Sequence, residues 1–166
     1  MFVLKPISPS GIPNALAKAE RYRLLNEPSL AESICRDVLH ADPENQQARI
    51  SLVLALTDQI ADDHRVFAEA IASSGRLDSA YERAYYTGIA WERRARARFQ
   101  SGGHDAKHQT YDWLQRALAL FEEAEAVRPE GNDDTSLRWN TCVRLLQQHP
   151  EIAPRAAEVS EGILSE

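Results

Sequence analysis

The sequence holds only two cysteines, one methionine and three lysines in 166 residues. Two thiols cannot form the dense disulfide framework of a small secreted domain. Cys35 and Cys142 sit in apolar helical contexts and read as reduced, buried residues. Seven glycines and eight prolines exclude collagen-like or low-complexity material. No stretch approaches the roughly 18 apolar residues of a membrane helix. Met1, Phe2, Val3, Leu4, Lys5 and Pro6 lack the basic start and the long apolar segment of a secretory leader. The expectation is a soluble, cytoplasmic protein with no membrane partner.

Positive charge is also short. Nineteen Lys and Arg face 25 Asp and Glu, for a net charge of −6 and a pI near 5.4. Phosphate neutralisation supplies most nucleic-acid affinity, so nucleic acid is not the expected partner. Equally missing are a glycine-rich phosphate loop, a Gly-x-Ser-x-Gly elbow, a Cys-x-x-Cys pair and a helical Glu-x-x-His pair. His104 and His108 stand four residues apart, a spacing at which two imidazoles on one turn can share zinc. They have no glutamate in the motif position and no third histidine nearby, and they follow a glycine pair, so they read as a solvated loop and helix start. Asp62, Asp63 and His64 read as a helix cap and first turn. No catalytic, metal or cofactor site is expected.

What is present is helical periodicity. Hydrophobic residues make up 43% and charged residues 27%, an ordinary globular balance, and the length suits one domain. Residues 1–12 read as an arm. Apolar positions at three- and four-residue steps then mark a helix over 14–25. Pro28 opens a second, striped by Leu30, Ala31, Ile34, Cys35, Val38 and Leu39. Pro43 is expected to open a third, which runs to Asp58, and Asp62 to His64 cap a fourth ending at Gly75. A fifth runs over 78–99, stopped by Gly102 and Gly103, and a sixth over 106–127. A seventh, from Asp134 or Thr135, stops at His149 and Pro150, and the rest reads as a weak helix or tail. The fold class is all-α, with about seven helices in antiparallel succession.

Internal period refines this. With Pro43 as a terminal proline, Ala19, Tyr22, Ala31 and Val38 fall at small, aromatic, small and small-to-medium positions. With Pro129, the same positions hold Ala117, Phe121 and Ala124, and Gly88 with Trp91 fits the preceding helix. Over about residues 12–131 the chain resembles the tetratricopeptide repeat (TPR) family, whose unit is a 34-residue helix hairpin. The middle repeat departs from the pattern, with Val53 at a small position and Arg49 at an aromatic one. Pro43 and Pro129 are 86 residues apart where two units need about 68. Seventeen of the extra residues fall between Trp91 and Ala117 and are expected to lengthen both helices of the last hairpin. The resemblance implies a right-handed α-solenoid over residues 13–148, followed by a tail over 149–166.

It also implies a function: a non-catalytic scaffold or adaptor that binds a peptide or protein. A secretion-type chaperone is an alternative of the same kind, and an enzyme or small-ligand sensor on a helical bundle is one of another kind. First helices line the concave face in this family, which points to Leu16, Glu20, Ile50, Leu54, Tyr85, Ile89 and Glu92 as partner-facing. A clamp for a terminal carboxylate would need cationic and amide groups where Leu16 and Glu20 stand, so that specificity is not expected. Ile50, Leu54, Tyr85 and Ile89 should then be exposed and contiguous. Glu92 is read either as an ion pair with Arg96 at i+4 or as a polar contact in the groove. Arg93, Arg94, Arg96 and Arg98 crowd six residues. At least two of them are expected to be unpaired, with Arg94, Arg96 and Arg98 free for an acidic partner or a second copy of the chain. Gly88 in mid-helix costs up to about 1 kcal/mol relative to alanine, which implies a neighbouring helix passing very close.

Overall fold

Helix ends follow local chemistry. Pro13 lies in the first turn of α1 (Ile12–Leu24), entered from a short 3-10 turn at Pro9–Gly11, and Pro28 in that of α2 (Pro28–Ala41). Proline is at ease there because its missing N–H has no helical acceptor to lose. The next helix, α3 (Gln46–Thr57), begins where Asn45 accepts a bond from the Ala48 N–H at 2.9 Å. Asn45 in turn donates to Asp42 at 3.0 Å. Pro43 therefore does not open this helix. It occupies the preceding turn, where the Asn45 N–H bonds the Asp42 carbonyl at 3.2 Å. Ser79 accepts from the Glu82 N–H to start α5 (Ala80–Ser101), and Ser-x-x-Glu is the spacing of a capping box.

The computed structural model describes residues 1–61 and 65–155. Among them are seven helices and no strand; the remaining three are α4 (Arg65–Ser74), α6 (Ala106–Ala126) and α7 (Asp134–Gln148). The cap expected at Asp62, Asp63 and His64 lies outside the described residues, as do positions 156–166 of the expected tail. The α5–α6 connection uses positive φ at Gly102, Gly103 and Asp105. As the spacing implied, α5 and α6 are long, at 22 and 21 residues against 13 and 14 for α1 and α2. At 1.5 Å per residue each runs a little over 30 Å.

Every helix packs on its neighbour in sequence, and in addition α1 packs on α3 and α3 on α5. Two core clusters result. The first joins Ala19, Ala31, Cys35, Leu52, Leu56, Ile60, Phe67 and Ala70 from α1 to α4, with Ala90 of α5. The second joins Tyr81, Tyr85, Ile89, Leu114, Leu118, Phe121 and Cys142 from α5 to α7. Ile152 is buried in that second cluster, so the packed region continues past the expected limit at residue 148. Trp91 packs against both clusters.

Gly88 supplies the closest approach. A Cβ there would stand 2.6 Å from the Phe121 ring, which is itself buried. Only glycine lets α6 lay that ring on the α5 backbone. The Arg49 guanidinium reaches back to the Pro43 carbonyl at 2.6 Å.

Candidate functional site

The first helices present two different surfaces. Between α1 and α3 lies an open cleft of about 320 Å³, lined by Leu16, Ala17, Glu20, Arg23, Gln47, Ser51 and Leu54. Leu16 and Leu54 are half-buried, and Glu20 and Gln47 are exposed. Three of the residues expected to face a partner, Leu16, Glu20 and Leu54, are thus brought together. Arg23 closes one end by donating to Asp58 at 2.8 Å. Arg93 of α5 binds the other Asp58 oxygen and donates to Thr57 Oγ1 at 2.7 Å and to the Leu54 carbonyl at 3.3 Å.

Farther along, the surface is shut. Ile50 is 7% exposed, Tyr85 9% and Ile89 1%, which contradicts the expectation that they form an exposed patch. For Ile50 the reason is crowding: α3 touches α1, α2, α4 and α5, and eight of its twelve residues are buried. For Tyr85 and Ile89 it is the α6 and α7 pair, which shares one core with them. Tyr85 stacks on Tyr81 at 5.6 Å, meets Tyr86 edge-on at 5.1 Å and tilts against Phe121 at 6.1 Å. Burial pushes its phenol above the usual range, with Arg138 pulling the other way.

Glu92 is 1% exposed and out of a partner's reach. It accepts from Arg96 Nε at 2.9 Å, the i+4 pair, and from Arg138 Nη1 of α7 at 3.3 Å. A buried carboxylate needs such partners, because desolvation otherwise costs several kcal/mol. Arg138 was invisible to sequence reasoning, since nothing in local spacing links positions 46 residues apart.

The arginine cluster is likewise absorbed by the fold. Arg93 and Arg96 have carboxylate partners, and Arg94 and Arg98 have none among the described residues. Both of the latter still make contacts within the fold. Arg94 lies 4.1 Å from the Phe67 ring centre and 4.2 Å from that of Trp113. Arg98 donates to Gln109 Oε1 at 2.6 Å and to the carbonyls of Gly102 and His104 at 2.6 and 2.8 Å, tying down the α5–α6 connection. Two of the four thus lack a carboxylate among the described residues, as expected, while the expectation that Arg96 is free is contradicted by its bond to Glu92. Burial lowers the affinity of Arg93 for its proton, and Asp58 opposes that loss. Burial also lowers that of Arg94, and Arg116 adds to the effect.

Among the described residues no group of three His, Cys, Asp or Glu side chains stands close enough to hold a metal. Cys35 and Cys142 are free, buried and in separate clusters, and burial pushes their thiols up to about 11 and about 12. No helix among the described residues is long and apolar enough to cross a membrane. The α1–α3 cleft offers apolar walls, one exposed carboxylate and amide and hydroxyl groups. Comparison with protein-family models, curated proteins and solved structures finds no match for this chain.

Proposed function

We propose that the chain is a TPR-like right-handed α-solenoid of antiparallel helix hairpins that binds a peptide or protein segment in the α1–α3 cleft and has no catalytic role. The single observation that carries this reading is the cleft itself, where Leu16 and Leu54 offer apolar contact beside exposed Glu20. Apolar contact with a polar rim is the usual anatomy of a protein interface. The alternation of packing supports the solenoid, because α1, α3 and α5 touch in series while each also packs on the helix that follows it. Gly88 against Phe121 supports the family register, in which a small residue admits a facing aromatic ring.

Affinity purification of the tagged chain from its native host, with mass spectrometry of what co-elutes, tests this. A partner retained by the wild-type chain should be lost on Leu16→Asp combined with Glu20→Arg. It should be kept on Glu122→Lys, a change at an exposed position of α6. A partner kept by the double variant would remove the cleft from the account.

A further inference from the structure

A second cleft, of about 460 Å³, opens between the end of α3, α5 and the first turns of α6, with Ile60, Arg94, Arg98, Gln109 and Trp113 in its walls. Its ionisable lining is two arginines, and neither meets a carboxylate among the described residues. Among the described residues Arg94 is held by rings and Arg98 by neutral acceptors. Arg116, close enough to Arg94 to disfavour its charge, lies over Trp91 at 4.8 Å. A guanidinium stacked on a ring keeps its N–H edge available for a carboxylate. Three cations without a carboxylate among the described residues are conspicuous in a chain of net charge −6. Rings and aliphatic walls beside them suit a segment that alternates acidic and apolar residues.

The path of the chain supplies such a segment. After Ile152 enters the core, the Ala153 carbonyl meets His108 Nδ1 at 2.9 Å and Arg155 pairs with Asp105. Asp105 precedes Gln109 by one turn of α6, so Arg155 is held at the helix start on the flank that carries Gln109 and Trp113. The next eleven residues, 156–166, hold Glu158, Glu161, Glu166, Val159, Ile163 and Leu164 and no cation. Gln109 and Trp113 stand roughly 6 and 12 Å along α6 from Asp105. Three residues beyond Arg155 span up to about 10 Å and six up to about 20 Å, enough for Glu158 to reach Arg98 and Glu161 to reach Arg94.

We propose that segment 156–166 docks within the same molecule into the arginine–aromatic cleft, its glutamates on Arg94 and Arg98 and an apolar side chain against Trp113. The cleft is then an acidic-peptide site filled by the chain's own segment, and an acidic partner must displace it. This goes beyond the α1–α3 reading and does not depend on it.

The test uses the full chain with Ser160→Cys, labelled with bimane, a dye that tryptophan quenches on contact. Cys35 and Cys142 are buried and stay unlabelled in the folded protein. The expected result is a quenched dye whose emission rises severalfold on Trp113→Phe, on Glu158→Gln with Glu161→Gln, and in molar salt, and does not change on dilution. Glu158 and Glu161 stand outside the seven helices found among the described residues, so the outcome of the glutamate pair is independent of any effect of Trp113→Phe on folding. In the same glutamate variant, now without dye, a synthetic peptide of residues 156–166 should bind, and it should bind the wild-type chain more weakly. Emission unmoved by the glutamate changes, or equal peptide binding by both chains, overturns the proposal. Quenching that fades on dilution assigns the contact to a second copy and overturns it equally.

Discussion

The two halves of this chain solve the same packing problem with different residues. From α1 to α4 the core is built of small and aliphatic side chains, Ala19, Ala31, Leu52, Leu56 and Ala70 among them, and the first helices keep an open cleft at Leu16 and Leu54. From α5 to α7 it is aromatic, with Tyr85 stacked on Tyr81 and tilted against Phe121, and a buried ion network at Glu92. In the second half α7 lays Arg138 over the face that the first half leaves open. A surface that recurs on successive helices can therefore be open in one place and core in another. What decides is whether a later helix covers it.

That contrast can be broken most decisively at Glu92. Glu92→Ala strands Arg96 and Arg138 without their carboxylate and should lower stability by about 3–5 kcal/mol, read as a shift in urea midpoint. A loss under about 1 kcal/mol would mean that Glu92 is solvated and the face is open. Gly88→Ala comes next. Its Cβ collides with a buried ring, and overpacking should cost about 1–3 kcal/mol by the same measurement despite alanine's better helix propensity.

Alkaline pH sharpens the comparison between the cores. Both thiols titrate above their ordinary 9.0 in the folded chain, so the native state holds its protons longer than the unfolded state does. The stabilisation is complete below pH 9 and is lost as pH rises toward 11 for Cys35 and 12 for Cys142. Each thiol should cost on the order of 1 kcal/mol of stability by pH 10. Changing each thiol singly to alanine should flatten the profile, with Cys142 acting over the wider range. Arg94→Ala should cost about 1 kcal/mol through the rings of Phe67, Trp91 and Trp113, measured as a lowered melting temperature. The smallest effect belongs to the open half, where Glu20→Ala should stay within about 0.5 kcal/mol of wild type.

Much of the fold was legible because its signals are local. The stops at Gly75, Gly102 and His149, the length of α5 and α6, and the demand for a close neighbour at Gly88 all follow from residues a few positions apart. Pro43 misled because proline suits a turn as well as a first helical position, and here Asn45 caps the helix instead. The candidate site was half legible. Leu16, Glu20 and Leu54 line one cleft as the register implies, but the register could not show that α7 returns to cover Tyr85, Ile89 and Glu92. The arginines misled for the same reason: Asp58, Phe67 and Trp113 are brought to them by tertiary packing, not by spacing.

Carboxyl footprinting of the native chain tests the central claim most directly, because it reads both faces in one sample. A water-soluble carbodiimide with an amine should modify Glu20 as fast as it does in the urea-unfolded protein. Glu92 should stay protected until the chain unfolds. Equal native labelling of Glu20 and Glu92 would contradict the account.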